Sequence, residues 1–366
     1  MLTKFKVSGF KGFENELCFD LSAGNFEFNQ DVVRSNYVDK AIIYGVNGCG
    51  KSSLGLAIFD LILHLTDKQK MFENYHVYLN QNGAEKASFE YTFLLNGKEL
   101  IYRYEKKDVQ ILLNEHLFID GKEVVFYDFE KEDGFSVLDG TQTLRFDSPD
   151  SKLSKLKFIY NNAILCDDEI NNVFLAFMEF VNEMLLFYSL DEKRFQGLML
   201  GSESIDHGIV SAGKLHEFEK FLHRAGIQEK LVSADINGIK TIFFQYKKGN
   251  IPLQIAASTG TKSLELFYYW YIKMSKASFV FMDEFDAFYH YELSELIVRE
   301  LINLTGVQVI FTTHNTDLLS NDILRPDCYF LMNHEKITSV ADSTRKEIRK
   351  AHNIQKMYKA GAFDES

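Results

Sequence analysis

Residues 45 to 53 read GVNGCGKSS, and this stretch decides the fold. An apolar segment, AIIY at 41–44, comes directly before it, and the following LGLAIFDLILHL repeats apolar residues at helical spacing. The stretch contains the complete pattern Gly-x-x-x-x-Gly-Lys-Ser, whose fixed positions are Gly45, Gly50, Lys51 and Ser52. The pattern therefore predicts a glycine-rich loop at the point where a buried strand becomes a helix.

A loop of this kind favours polyphosphate for geometric reasons. Its glycines let the backbone N–H groups point inward, and the helix that follows adds the positive end of its dipole. We expect Lys51 to reach the β- and γ-phosphates of ATP and the Ser52 hydroxyl to ligate Mg²⁺. The predicted nucleotide-binding residues of the loop are Gly45, Asn47, Gly48, Cys49, Gly50, Lys51, Ser52 and Ser53, with Cys49 contributing its backbone N–H.

Composition and charge limit the class of protein. The chain has 366 residues, 46% of them hydrophobic, enough for one large domain or two modest ones. Its formal net charge of -12 argues against a surface devoted to nucleic acid, although lysines and arginines near both ends leave local basic patches open. Four separated cysteines without a Cys-x-x-Cys pair favour the cytoplasm and indicate no zinc site. The apolar stretch 173–190 carries acidic residues in its middle, which favours a buried or interface helix over a membrane span.

Apolar periodicity divides the chain into regions. The first 20 residues and the segment 75–130 alternate apolar and polar residues, and Asn96-Gly97 between two such runs predicts a hairpin. Residues from about 152 to 225 are helical in pattern, and the strands KLVSADI and KTIFFQYKK follow. A later series of helices and buried strands predicts a parallel sheet shared with the phosphate loop. We predict a single α/β unit over 1–366, with a nucleotide-binding lobe (1–74 and 230–345), an antiparallel β subdomain (75–130), a helical insert (150–228) and a C-terminal tail (346–366).

Two acids follow the apolar residues of FVFMDEFDAF at 279–288. A buried strand that ends in acids beside a phosphate loop has a specific use in nucleotide hydrolysis. We expect Asp283 to hold the Mg²⁺ shell and Glu284 to orient or deprotonate the attacking water. In VQVIFTTHN, His314 follows another buried strand, at the sheet edge where ligands of open α/β sheets bind, so it is a candidate for sensing the γ-phosphate or holding the water.

A second anion site is predicted at ASTGTKSLELF, residues 257–267. Ser258 and Gly260 precede a helix, and a hydroxyl, backbone N–H groups and the helix dipole can together bind an anion there. The same residues also suit an ordinary helix N-cap.

Taken in this order, the motifs resemble the ABC-type ATPase heads of the SMC and RecF-like class. More narrowly, they resemble the stand-alone AAA-family ATPases of that class that accompany bacterial phage-defence effectors, as in abortive infection. GVNGCGKSS is similar to their Walker A motif, STGTK to their signature motif, FVFMDE to Walker B, Asp286 to the D-loop and TTHN to the switch histidine. The resemblance implies a P-loop NTPase fold with an ABC-ATPase-like head and a mixed or parallel sheet.

The resemblance also implies a partner. In that class two heads pack head to tail around two ATP molecules, so Ser258 and Gly260 of one copy would contact the γ-phosphate held by Lys51 of the other. ATP then stabilises the interface, and hydrolysis loosens it. We expect a head-to-tail dimer or higher oligomer.

Two functions remain open. The first is an ATP-driven switch that controls a separately encoded effector, such as a nuclease, in antiphage defence. The second is a RecF-like clamp that binds DNA in an ATP-dependent manner during repair or recombination. The acidic net charge favours the first. A transporter motor would need a membrane partner, and long-arm machines need a coiled coil, whereas no heptads persist in the roughly 200 residues between Walker A and the signature.

Overall fold

The computed structural model describes residues 1–68, 72–144, 153–188, 194–197, 204–286 and 291–363. Its strands are β1 (Leu2–Ser8), β2 (Leu17–Asp20), β3 (Val33–Arg34), β4 (Tyr37–Val38), β5 (Lys40–Tyr44), β6 (Ala87–Leu95), β7 (Lys98–Lys106), β8 (Leu112–Ile119), β9 (Lys122–Asp128), β10 (Asp133–Ser136), β11 (Leu185–Tyr188), β12 (Arg194–Gly197), β13 (Leu231–Ile236), β14 (Ile239–Tyr246), β15 (Gly249–Pro252), β16 (Phe279–Asp283), β17 (Gln308–Thr312), β18 (Tyr329–Met332) and β19 (Ile337–Ser339). Its α-helices are α1 (Lys51–Ile58), α2 (Asp60–Leu65), α3 (Lys155–Asn162), α4 (Glu169–Asn182), α5 (Ile205–Ser211), α6 (Leu215–Arg224), α7 (Leu253–Ala256), α8 (Thr259–Met274), α9 (Tyr291–Ile302) and α10 (Ile354–Lys359).

The first large sheet is antiparallel, with the strand order β10-β9-β8-β7-β6-β1-β2. The hairpin predicted at Asn96-Gly97 is confirmed, because both residues have positive φ (51° and 78°), as type I′ turns require. The N-terminal strand pair is also present, and β1 pairs with β6. This sheet therefore extends beyond the range 75–130 in both directions, to β1 and β2 on one side and to β10 on the other.

The second large sheet has the order β12-β11-β16-β17-β5-β18-β19. The five inner strands, β11, β16, β17, β5 and β18, run parallel. The edge strands β12 and β19 pair antiparallel with β11 and β18. Every residue of β5, β16 and β17 is buried, which fits strands covered on both faces. The prediction that the phosphate loop and the later helix–strand series share one sheet is confirmed, since β5 lies beside β17 and β17 beside β16.

The prediction of one helix through the apolar stretch 173–190 is wrong for its second half. Helix α4 ends at Asn182, and the chain re-enters the parallel sheet as β11 beside β16. A short apolar run such as LLFY fits a buried helix and a buried strand equally, and the open edge of β16 offers its backbone a full ladder of hydrogen bonds. Strands β11 and β12 thus lie within the range 150–228, whose pattern is helical. In the described ranges no helix has the length and apolarity needed to cross a bilayer.

A smaller sheet, ordered β13-β14-β15, precedes α8. Its first two strands are those predicted, whereas β15 and α5 escaped prediction because each is short. The inner face of this sheet packs on α5, where Ile242 and Phe244 are buried and the Ile242 N–H donates to Asp206 at 2.8 Å. The sheet is thus attached to the helical region by one face.

A buried polar network joins the antiparallel sheet to the helices that follow the phosphate loop. Asp60, the first residue of α2, accepts hydrogen bonds from the hydroxyls of Tyr78 (2.9 Å) and Tyr104 (2.8 Å) and from Lys106 Nζ (2.7 Å). The Tyr91 hydroxyl donates to the carbonyl of Ala57 at the end of α1 (2.8 Å). Burial lowers the pKa of Lys106, and Asp60 opposes this by forming a fully buried ion pair with it. Side chains of the antiparallel sheet therefore hydrogen-bond to α1 and α2, the helices that follow strand β5 of the parallel sheet.

Candidate functional site

The phosphate loop is shaped by its glycines. Gly48 and Gly50 have φ of +79° and +107°, a region that side chains rarely adopt. A Cβ at Gly45 would lie 2.5 Å from both Cys49 Sγ and the carbonyl oxygen of Met332, so only glycine fits there. Helix α1 begins directly after Gly50, and its first N–H groups have no partner within the helix. The loop thus has the curled backbone and helix start that bind phosphate.

Lys51 is folded into this loop. Its side chain is only 5% exposed, and Nζ donates to the carbonyls of Gly45 (2.9 Å) and Val46 (3.2 Å). Neutral carbonyls are weak partners for an ammonium compared with phosphate oxygens. We expect Lys51 to exchange these bonds for phosphate contacts when a nucleotide binds.

The two acids at the end of β16 are held by a threonine of the neighbouring strand. The Thr312 hydroxyl donates to Asp283 Oδ1 at 2.7 Å, and the Glu284 N–H donates to the same hydroxyl oxygen at 2.7 Å. Thr312 and Asp283 are buried, and Glu284 has a φ of +44°, which is uncommon for a residue other than glycine. One buried hydroxyl therefore fixes both the carboxylate of Asp283 and the backbone that presents Glu284.

The histidine predicted to act with Glu284 lies beside it. His314 Nε2 is 3.7 Å from Glu284 Oε1, and both side chains are partly exposed. Asp286 accepts a hydrogen bond from the Thr313 hydroxyl at 2.6 Å, and burial raises the pKa of Asp286 above its usual range. The structure thus brings Asp283, Glu284, Asp286 and His314 together around two adjacent threonines.

The sheet brings these residues to the phosphate loop. β16, β17 and β5 are parallel neighbours, with Met282 opposite Phe311 and Thr312 opposite Ile43, so the three strands end at one edge. Helix α1 packs on β16 at Gly55, where a Cβ would come within 2.7 Å of the Phe281 ring. The start of α1, the end of β16 and the end of β17 therefore share one corner of the protein.

Magnesium fits the donors of this corner. Ser52 is exposed at the start of α1, and Asp283 provides a carboxylate that the Thr312 hydroxyl holds in place. Hydroxyl and carboxylate oxygens are the ligands that Mg²⁺ prefers, completed by water and phosphate oxygens. Ser52 and Asp283 are therefore suitable metal ligands.

The signature segment forms a separate helix start. Ser258 caps the 16-residue helix α8, and its hydroxyl oxygen accepts the Thr261 N–H at 3.2 Å. A Cβ at Gly260 would meet nothing closer than 3.9 Å, so the first turn is open to a ligand. No hydrogen bond among the described residues connects Ser258 or Gly260 to the loop 45–53. Within one chain, this helix start caps itself.

Several residues near the site escaped the sequence analysis. Thr312 and Thr313 were not assigned roles, although two hydroxyls directly before His314 are a visible signal. Phe13 and Met332 lie against Gly50, where a Cβ would be 3.1 and 3.3 Å from their side chains. Nothing in the sequence indicates that these two side chains meet the loop, because they come from segments far from it in the chain.

A comparison with protein families matches residues 40–320 to the family described as "AAA domain, putative AbiEii toxin, Type IV TA system". The chain belongs to this family. Membership and the strand order establish an α/β P-loop ATPase fold, and the family implies nucleotide binding, typically with Mg²⁺. A comparison with curated proteins found no match.

Solved structures that are similar to this chain include SMC head domains and a RecF protein. The SMC head domain from Thermotoga maritima is 17% identical, with a TM-score of 0.48, and the alignment covers 92% of this chain and 98% of that one. An SMC head from Pyrococcus furiosus, bound to the C-terminal domain of ScpA, is 13% identical, with a TM-score of 0.45 and coverages of 92% and 96%. The recombination mediator protein RecF with ATPγS is 12% identical, with a TM-score of 0.37 and coverages of 93% and 98%.

Proposed function

We propose that this protein hydrolyses ATP between two copies of the chain and uses the ATP-bound state as a switch for a separately encoded effector. One observation carries the hydrolytic part: Thr312 holds Asp283 and Glu284 at the same sheet edge as the phosphate loop. A buried carboxylate beside a partly exposed one suits a metal ligand and a water-activating group.

The residues divide the work as follows. Lys51 and the loop N–H groups bind the phosphates, and Ser52 and Asp283 would hold Mg²⁺, which would neutralise charge at the phosphate oxygens. Glu284 orients the attacking water and accepts its proton. His314, 3.7 Å from Glu284, shares in placing that water near the γ-phosphate. Asp286 follows on the same loop and contacts the nucleotide or the neighbouring copy.

The second copy supplies the remaining contact. The α8 helix start of Ser258 and Gly260 has the open N–H groups and dipole of an anion site, and its own hydrogen bonds stay within the cap. We propose that it binds the γ-phosphate held by Lys51 of the partner. Binding energy from ATP would then stabilise the dimer, and release of phosphate would weaken it.

The role as a defence switch is drawn from the family description and the net charge. The family description names a toxin and a toxin–antitoxin system, which fits an ATPase paired with an effector such as a nuclease. The net charge of -12 favours a protein partner over DNA. A RecF-like clamp is the second candidate, because lysines and arginines near both ends of the chain offer local basic patches. We propose a cytoplasmic location for either function.

Two variants test the site. Lys51→Ala should abolish ATP binding and hydrolysis, whereas Glu284→Gln should bind ATP and form a stable dimer without turnover, measured by phosphate release and sedimentation. ATP hydrolysis by Lys51→Ala at the wild-type rate would refute the site.

DNA affinity measured at several salt concentrations, with and without ATP, separates the two functions. Tight ATP-dependent DNA binding by the isolated protein would favour the clamp. Co-purification with the product of a neighbouring nuclease gene would favour the switch.

A further inference from the structure

The outer face of the small sheet β13-β14-β15 is apolar at the end that lies beside the β13–β14 turn. Its register pairs β13 residues with β14 residues, and paired residues of antiparallel strands point to the same side. The face opposite α5 is therefore formed by Val232, Ala234, Ile236, Ile239, Thr241, Phe243 and Gln245, with Asn250 and Pro252 of β15 beside the last two. The inner face, by contrast, contains the buried residues Ile242 and Phe244 that pack towards α5.

The end of this face beside the β13–β14 turn is exposed although it carries no charge, whereas Val232, Thr241 and Phe243 are half-buried. Ile236 is 46% exposed and Ile239 is 53% exposed, and the charged residues of these two strands, Asp235 and Lys240, alternate onto the other face. A sheet that has one side in solvent normally has polar residues on that side. An apolar side left open is the usual mark of a surface that another molecule covers.

The segment that follows Ile236 is basic. From Ile236 to Leu264 the sequence contains no Asp or Glu and four lysines, Lys240, Lys247, Lys248 and Lys262, in a chain whose net charge is -12. The rest of the chain is therefore more acidic than the whole. A second copy offers the complementary charge to this segment.

The apolar face also leads directly into the segment proposed to contact the partner's ATP. β15 ends at Pro252, and Ser258 follows six residues later. Ile255 between them is largely exposed, and so is Val46 in the phosphate loop, on the opposite half of the proposed composite site. Exposed apolar residues thus lie beside both halves that a head-to-tail dimer would join.

We propose that the exposed apolar end of this outer face, together with Lys247 and Lys248 at the β14–β15 turn, binds a second copy of this chain in the ATP-bound dimer. The inference rests on the proposed function and adds a specific interface to it. A nucleic acid would need positive charge on the face itself, because its phosphates dominate binding. Here the exposed residues of the face itself carry no charge.

The test uses the full chain with Glu284→Gln, ATP and Mg²⁺. Dimer dissociation is measured by sedimentation velocity for the double variant Ile236→Asp/Ile239→Asp, and for the control Ile164→Asp, whose side chain is 92% exposed in the loop between α3 and α4. We expect the double variant to raise the dimer Kd by at least about tenfold, at least about 1.4 kcal/mol. The control should leave Kd unchanged. ATP binding by the monomer and the thermal melting curve should match the parent in both.

A second variant tests the charges of Lys247 and Lys248. Lys247→Glu/Lys248→Glu should raise the dimer Kd, and the effect should shrink as salt increases, because these charges are exposed. An unchanged dimer Kd in the isoleucine variant would overturn the proposal. A Glu284→Gln parent that binds ATP but stays monomeric would overturn this interface and leave the phosphate loop assignment standing. A parent that fails to bind ATP would overturn the proposed function itself.

Discussion

Replacing Thr312 with valine tests how the two acids at the end of β16 are held. The buried hydroxyl donates to Asp283 Oδ1 and accepts the Glu284 N–H, both at 2.7 Å. Valine keeps the shape and makes neither bond. A bond to a charged group contributes about 1.5–3 kcal/mol, and a neutral one about 1 kcal/mol. We therefore expect the free energy of unfolding, measured in urea, to fall by about 2–4 kcal/mol.

The rate of ATP hydrolysis by Thr312→Val should also fall, even where the protein remains folded. The bond to Thr312 holds Glu284 at its positive φ, and a displacement of a catalytic group by about 1 Å costs about a hundredfold in rate. We expect kcat for phosphate release to drop by about that factor, while the protein still binds ATP through the phosphate loop. Thr312→Ser retains the hydroxyl and is the matched control. Wild-type kcat in the valine variant, or an equal loss in the serine variant, would refute the reasoning.

Three further predictions concern the buried charges and the loop. Lys106→Met leaves the carboxylate of Asp60 buried without its cation, so the free energy of unfolding should fall by about 3–5 kcal/mol, and adding Asp60→Asn should restore part of it in urea titrations. Burial, followed by the neighbouring carboxyl group of Asp206, raises the pKa of Glu265 to about 9 from an ordinary value of 4.5. Between these pH values the folded state keeps a proton that the unfolded state has lost. The free energy of unfolding therefore falls as pH rises, by up to about 1.4 kcal/mol per pH unit. Glu265→Gln should reduce this pH dependence, measured as urea midpoints at about pH 6 and about pH 8. Gly45→Ala introduces a Cβ 2.5 Å from two neighbouring atoms, so ATP affinity in a fluorescent-nucleotide titration should weaken by at least about tenfold, with an unchanged circular dichroism spectrum.

Features that depend on neighbouring residues in the chain were predictable. The loop at Gly45 to Lys51, the turn at Asn96-Gly97 and the buried strand before Asp283 each carry their own local signal, and the structure has each of them as expected. The shared sheet also followed, because parallel strands alternating with helices have few ways to pack. The roles assigned to Glu284, His314 and Ser258 remain predictions, since they concern chemistry.

Features set by long-range pairing were beyond the sequence. Leu185–Tyr188 is a strand only because β16 is beside it, and its apolar run looks like the end of α4. The N-terminal strand β1 finds its partner β6 about 80 residues away, which no local pattern encodes. Thr312 lies 29 residues from Asp283, so its hydrogen bond appears only once the strands are adjacent.

Hydrogen bonds link the helices that follow the phosphate loop to the antiparallel sheet. The donors are Tyr91, Tyr104 and Lys106 of that sheet, and the acceptors are Ala57 and Asp60. Hydrogen bonds to Ala57 and Asp60 connect α1 and α2 to strands β6 and β7, so we expect a tilt of α1 on nucleotide exchange to be transmitted to these strands. We expect this tilt to change the orientation of the antiparallel sheet. The far side of that sheet is then where another protein could sense whether ATP is present, well away from the phosphates themselves.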